Sequence, residues 1–266
     1  MLDVEFAHLS DDGRTRDHNE DCLGVVVPAT PELAHSHGWL FALADGVGGH
    51  DRGEVASATA IQHLRQGFSN SSSKESINAL LGRLAKEANT QVYETGKRTG
   101  PGGSNMATTL VACVLRHDQM AVVHAGDSRC YRIRDRAAVQ LTRDHTVANE
   151  HLRMGAISAV TAASAETRHM LTRSLGNDLF LNVDLSDHPL FPGDVFLLCS
   201  DGLHNSVDLP DLTSVVRSGV DLSAAARKLV ALANERDGSD NITVLLIRVR
   251  DVERVGMYRG RPYKLR

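Results

Sequence analysis

Long apolar runs are missing from this 266-residue chain. Runs such as Val195–Cys199 and Thr243–Ile247 are only strand-length, whereas a membrane helix needs about 20 apolar residues in succession. No membrane span is expected. A surplus of one charge is missing too. The 29 Lys and Arg stand against 33 Asp and Glu, a net charge of −4, where a nucleic-acid-coating protein carries a strong basic excess. Cysteine is scarce and scattered: Cys22, Cys113, Cys130 and Cys199 make neither a C-x-x-C pair nor a Cys/His zinc spacing. A reducing cytoplasm is the simplest setting for four such thiols. The first residues, Met1-Leu2-Asp3-Val4-Glu5, lack the basic start of a secretory signal. These absences together predict a soluble, unexported, cytoplasmic protein.

What is present is aspartate, 22 residues against 11 Glu. Asp serves turns and strand ends, and it also supplies hard-oxygen ligands for Mg²⁺ or Mn²⁺, so the positions have to decide. Short β-type runs dominate: Cys22–Val27, Trp39–Ala44, Thr109–Arg116, Met120–Ala125, Cys130–Arg134, Val139–Thr142, Phe180–Leu185, Val195–Cys199 and Ile242–Val249. Most are apolar on successive residues, which predicts strands covered on both faces. Hairpin-sized connections at Arg116-His117-Asp118-Gln119 and Asp135-Arg136-Ala137 predict antiparallel pairing and exclude a simple doubly wound sheet. Helical stripes occupy Gly53–Phe68, Ile77–Val92 and Leu222–Ala233. Ser72-Ser73-Lys74-Glu75 has the form of a capping box before the second, and Asp221 or Ser223 caps the third. Helices outside a block of antiparallel strands make a layered α+β domain. Ala148–Arg173, polar and Ala-rich with two weak helical stretches, reads as a mobile insertion, and the basic end from Asp251 as a tail.

Five of the aspartates stand at the ends of apolar strands, usually followed by Gly or another small residue. They stand in Asn19-Glu20-Asp21, Ala44-Asp45-Gly46, Gly126-Asp127-Ser128, Ser200-Asp201-Gly202 and Ser239-Asp240-Asn241. One Asp-Gly after a strand is ordinary turn chemistry. Five at the converging ends of one antiparallel domain would repel severely without cations, and oxygen donors without His or Cys point to Mg²⁺ or Mn²⁺ rather than Zn²⁺.

In this arrangement the chain resembles the metal-dependent phosphatases of the protein phosphatase 2C (PPM) family in their compact bacterial form. The matching blocks begin with Arg16-Asp17-His18-Asn19-Glu20-Asp21, Phe41–His50, Gly53-Glu54-Val55-Ala56-Ser57 and Ala107-Thr108-Thr109-Leu110. They continue with Ala125–Tyr131, Leu141–His145, Leu171–Gly176, Leu198–Leu203 and Gly238–Thr243, in family order over residues 16–249. The resemblance implies a four-layer α-β-β-α sandwich, two central antiparallel β-sheets flanked by helices. It implies one catalytic domain over residues 1–250, a flap-like insertion at about 146–180, and a short basic tail at 251–266. It further implies that Asp45 bridges two central Mn²⁺ or Mg²⁺ ions, with the Gly46 carbonyl completing one site. Asp201 and Asp240 would hold the other ion, Glu20 and Asp21 acting there directly or through water, and Asp127 would join Asp201 at a third, weaker site. Arg16 would grip the substrate phosphate through its planar guanidinium.

The activity so implied is hydrolysis of phosphoserine and phosphothreonine in proteins by metal-activated water, with no covalent phospho-enzyme. Ser128 and Ser200 are accordingly read as turn and supporting groups rather than nucleophiles. The implied partners are phosphorylated proteins and a Hanks-type Ser/Thr kinase, the expected state a monomer, with neither nucleic acid nor membrane. Two other readings stand beside it: an inactive phosphoprotein-binding regulator, and a phosphatase dedicated to one target, an anti-sigma antagonist or a secretion-system component. Val47 occupies the place where animal members carry His, so the proton donor is open, with His18 and His50 nearby in sequence. Ala107 stands where the family usually has Gly.

Overall fold

The structure, a computed structural model, describes residues 1–47, 52–98, 106–135, 137–219, 221–253, 255–258 and 261–264. The chain opens with β1 (Asp3–Asp11), β2 (Asp21–Val26), α1 (Pro31–Ser36) and β3 (Trp39–Asp45). Two long helices follow, α2 (Gly53–Ser69) and α3 (Ile77–Arg98). Next come β4 (Leu110–Arg116), β5 (Gln119–Ala125), β6 (Arg129–Arg134) and β7 (Ala137–Gln140). A segment with α4 (Val147–Arg153), α5 (Ala159–Ser164) and a 3₁₀ turn at Glu166–His169 leads to β8 (Asp184–Pro189) and β9 (Val195–Cys199). The last third holds α6 (Asp201–His204), α7 (Leu209–Arg217), α8 (Leu222–Arg236) and β10 (Ile242–Asp251). β11 (Val255–Tyr258) and β12 (Arg261–Lys264) then pair as a small hairpin within the segment read as a tail.

Two five-stranded antiparallel sheets result, ordered β2-β3-β4-β5-β8 and β1-β10-β9-β6-β7. The period of two along each strand decides what fills the layers. On β3 and β4, Leu40, Ala42, Ala44, Leu110, Ala112 and Val114 face α2 and α3, meeting Ile61, Leu64, Phe68, Leu81 and Leu84. Their alternates Phe41, Leu43, Val111 and Cys113 face the second sheet, packing on Phe196, Leu198, Leu245 and Ile247. The outer face of that sheet, through Leu197, Cys199, Val244 and Leu246, meets α7 and α8 at Leu212, Val216, Leu229 and Ala233. Strands apolar on both faces thus give the expected four-layer α-β-β-α sandwich. The four cysteines are free, and Cys113, Cys130 and Cys199 are buried. Among the described residues, no helix is long and apolar enough to cross a membrane.

Several elements differ from expectation. β1, an edge strand paired with β10, was not anticipated; its half-exposed residues carry acids and no apolar run. β8 lies four residues beyond the expected Phe180–Leu185, because this edge strand alternates in burial while Phe180 itself is 89% exposed. The cap of α3 is Ser76, whose hydroxyl accepts from the Ala79 amide. Ser72 instead closes a turn before it, and the Glu75 of the supposed box pairs with Arg83. Asp221 caps α8 by accepting from the Ala224 amide at 2.7 Å. The short helices α1 and α7, with Pro in the first turn behind Thr30 and Asp208 caps, add to the expected set.

Candidate metal centre

All the strand-end aspartates lie at one end of the sandwich, because antiparallel neighbours bring the start of one strand beside the finish of the next. Asp21 begins β2 and Asp45 finishes β3, directly opposite each other in the ladder. Asp127 sits where the chain crosses from β5 in one sheet to β6 in the other. Asp201 follows β9 as the first residue of α6, and Asp240 precedes β10. Asp45, Gly46, Asp127, Asp201, Asp240 and Arg16 line one cleft of about 730 Å³. Asp21 lies behind them, its Oδ2 accepting from the Ser200 hydroxyl at 2.7 Å and its buried Oδ1 without a hydrogen-bond partner among the described residues.

The remaining expected residues flank this group. Arg16, on the loop after β1, donates from Nη2 to Asp240 Oδ2 at 2.9 Å. Glu20 stands to one side, with His18 Nε2 at 3.5 Å from its Oε1 and Glu54 in the same group of three possible ligands. His18 is engaged there, whereas His50 lies outside the described residues. Val47 and Ala107 line the cleft, and the Val47 amide donates to the Ala107 carbonyl at 3.0 Å. At Gly46 the backbone runs so close to Gly53 that a Cβ would meet the Gly53 carbonyl at 2.5 Å, so only glycine fits there.

Electrostatics set the acids of the cluster against one another. Burial pushes the Asp45 carboxyl well up, and the charges of Asp21, Asp201 and Asp127 push it further. Asp201 is raised by burial and by Asp127 and Asp240. Asp21 and Asp127 are each pushed up to about 6, chiefly by burial. An oxygen-only donor set, an orphaned buried carboxylate oxygen and mutual repulsion together fit a hard divalent cation among these residues. Arg16 offers the one guanidinium held on these acids by a hydrogen bond among the described residues.

A supporting layer, of which sequence reasoning assigned only Ser128 and Ser200, holds the acids in place. The Asn241 side chain accepts from the Glu20 amide at 2.8 Å and donates to the Asp12 and His18 carbonyls at 3.0 Å each. It therefore pins the Arg16–Glu20 loop to the start of β10. The Thr109 hydroxyl accepts from the Asp45 amide, while the Thr108 hydroxyl donates to the Asp45 carbonyl. Thr109 in turn bonds the Ser128 hydroxyl at 2.7 Å. Ser128 and Ser200 thus hold neighbouring groups. Gly126, at φ +108°, donates its amide to buried His145 Nδ1, and His204 Nε2 donates to the Asp127 carbonyl. All these residues except His204 fall within the quoted motif blocks. Short polar residues beside acids look like turns until the partners across the sheet are known.

One wall of the cleft comes from the 146–180 segment through Arg168, His169, Met170, Leu171, Ser174 and Asn177. His169 Nδ1 lies 3.9 Å from Asp201 Oδ2. The bridge Thr146↔Leu171 closes the base of the segment on itself, and Thr108↔Leu175 fastens it to the body.

Comparison with known proteins gives a consistent result. A family model described as Protein phosphatase 2C matches residues 29–236. "Serine/threonine phosphatase stp" of Listeria welshimeri is 35% identical over 257 residues, covering 95% of this chain and 96% of that one. The crystal structure of the PPM Ser-Thr phosphatase MsPP from Mycobacterium smegmatis, in complex with cacodylate, superposes with a TM-score of 0.77 at 35% identity. That match covers 92% of this chain and 97% of MsPP. The catalytic domain of the serine threonine protein phosphatase PstP, in complex with two manganese ions, gives 0.80 at 30% identity, covering 94% of this chain and all of that one.

Proposed function

The chain belongs to the protein phosphatase 2C family and is a divalent-metal-dependent protein serine/threonine phosphatase, and from that membership we propose how its own residues divide the reaction. The carrying observation is that Asp45, Asp127, Asp201 and Asp240, drawn from both sheets, line a single cleft together with Arg16. Asp45 and the Gly46 carbonyl, Asp201 and Asp240 hold two central ions, Mn²⁺ or Mg²⁺, with Glu20 and Asp21 supporting them. Asp127 and Asp201 hold a third, weaker one. Bound there, divalent ions neutralise phosphoryl oxygens and activate water for in-line attack.

The protein's own part is placement. Arg16, which rests on Asp240, would take the substrate phosphate in a charge-assisted pair. The ladder pairing of Asp21 with Asp45 and the Thr108–Thr109 clamp fix the central carboxylate before substrate arrives, so little rearrangement is left for the reaction. The wall at Arg168–Leu171 meets the polypeptide flanking the phosphorylated residue. Within residues 1–250 the 146–180 segment serves as a flap beside the site, and the C-terminal end stands apart from the chemistry. A Hanks-type Ser/Thr kinase and its targets are the partners this chemistry opposes, with the phosphatase acting as a cytoplasmic monomer.

Phosphate release from a phosphothreonine peptide, with and without Mn²⁺, tests the assignment in wild type and Asp45→Asn side by side. Metal-dependent turnover in wild type that vanishes in the folded variant is expected. Turnover that survives the substitution removes Asp45 from its place.

A further inference from the structure

At the end of the sandwich opposite the cleft, three ligand-type side chains from three separate elements meet. His35 stands in the last turn of α1, His117 at the β4–β5 turn, and Glu253 two residues beyond β10. One ligand atom from each lies within 4.8 Å of the others. The two imidazoles meet edge to face with centroids 4.5 Å apart. Neither ring has a hydrogen bond to another described residue. β4 spans seven residues between Asp45's neighbour Thr109 and this turn, about 23 Å of extended chain.

The scaffold brings the three together without help from a ligand. Gly38, at φ +82°, lets the turn after α1 lie against the Leu115 carbonyl, where a Cβ would come within 2.1 Å. Arg116 ties the same corner by donating to the Ser36 and Glu75 carbonyls at 3.1 and 3.2 Å, which commits the guanidinium. His117 itself holds φ at 60°, a left-handed conformation that His, like Asn and Asp, adopts more readily than most side-chain-bearing residues.

We propose that His35, His117 and Glu253 form a metal site distinct from the cleft, taking a borderline divalent transition ion of the zinc class. Two imidazole nitrogens and one carboxylate oxygen suit such an ion, whereas the all-oxygen cleft suits Mg²⁺ or Mn²⁺. Tetrahedral bonds of about 2.0–2.2 Å need a closure of the three side chains that rotamer changes supply, with water in the fourth position. The ion fastens the chain after β10 to α1 and to the β4–β5 turn.

The test is calorimetric titration of Zn²⁺ into the full chain held in excess Mg²⁺. One equivalent of zinc is expected in wild type and also in Asp45→Asn, whose cleft is compromised. His35→Ala and His117→Asn, the latter tolerant of the left-handed backbone, should each weaken it beyond the roughly 10–100-fold that loss of an outer partner costs. Mn²⁺-dependent peptide turnover should stay within about twofold in both, which also shows that they fold. Zinc should raise the thermal midpoint of wild type and leave that of His35→Ala unmoved. Absence of zinc uptake overturns the proposal. So does uptake lost in Asp45→Asn, or uptake of equal affinity in the two histidine variants.

Discussion

Replacing Asn241 by Ala tests whether the Arg16–Glu20 loop is held by one side chain. Asn241 is 5% exposed and makes three hydrogen bonds of 2.8–3.0 Å to the Glu20 amide and to the Asp12 and His18 carbonyls. A buried hydrogen bond contributes about 1 kcal/mol net. Water reaches part of this loop once it loosens, so the loss should be about 2–3 kcal/mol rather than more. For a chain of this size that lowers the unfolding midpoint by about 4–10 °C. Arg16 and Glu20 ride on the same loop, so turnover should fall with it. An opening cost of about 1.4 kcal/mol is already tenfold, and a drop of at least about tenfold in kcat/KM is expected at subsaturating Mn²⁺. Asn234→Ala is the control, because Asn234 makes one bond, to Asp11 Oδ1, and touches no proposed ligand. It should cost about 1 kcal/mol and leave kcat/KM alone. The measurements are thermal unfolding and peptide turnover across a Mn²⁺ titration. An Asn241→Ala protein that unfolds earlier yet keeps wild-type kcat/KM refutes the link between this side chain and the site.

Arg16→Ala should separate phosphate binding from metal binding. Its exposed pair with Asp240 is worth about 0.2–1 kcal/mol, so Mn²⁺ affinity should hold or tighten by up to about fivefold while kcat/KM falls about 10–100-fold; weaker Mn²⁺ binding by calorimetry would remove its assigned role. Asp240→Asn should abolish turnover with the circular dichroism spectrum intact, since the amide keeps the volume and loses the charge. The metal-free protein should lose stability as pH rises. Asp21 and Asp127 bind protons more tightly folded, at about 6, than unfolded, at about 3.9. Their contribution is therefore complete below about pH 4 and is lost through about pH 6. Saturating Mn²⁺ should flatten that slope in a series of urea melts, and an unchanged slope would contradict a shared cation. Gly46→Ala should cost turnover strongly, because its Cβ strikes the Gly53 carbonyl; kinetics equal to wild type would show that the backbone yields there.

The layered core was legible because β3, β4, β9 and β10 are apolar on both faces, a pattern that half-exposed strands cannot imitate. β1 and β8 escaped for the converse reason. Each sits at a sheet edge, where one side of the strand meets solvent and polar residues are tolerated. The acids of the site could be read from their places at strand ends. Asn241, Thr108 and Thr109 could not be assigned, since their work depends on partners 63–229 residues away. The metal-type cluster at the far end gave no local signal, as His35, His117 and Glu253 share no spacing in sequence.

The cleft straddles the two halves of the sandwich: Asp21 and Asp45 hang from one sheet, Asp201 and Asp240 from the other. On the proposed ligand assignment, the gap across which an ion would be held follows the thickness of the apolar layer of Phe41, Phe196, Leu198 and Leu245. Coordination discriminates over tenths of an ångström, Mg²⁺ at about 2.0–2.1 Å against about 2.3–2.6 Å for larger Ca²⁺. Interior side-chain volume therefore works as a caliper for ionic radius. Exchanges of one methylene in that layer, out of sight of substrate, are where this chain can retune which cation it prefers without altering a single ligand.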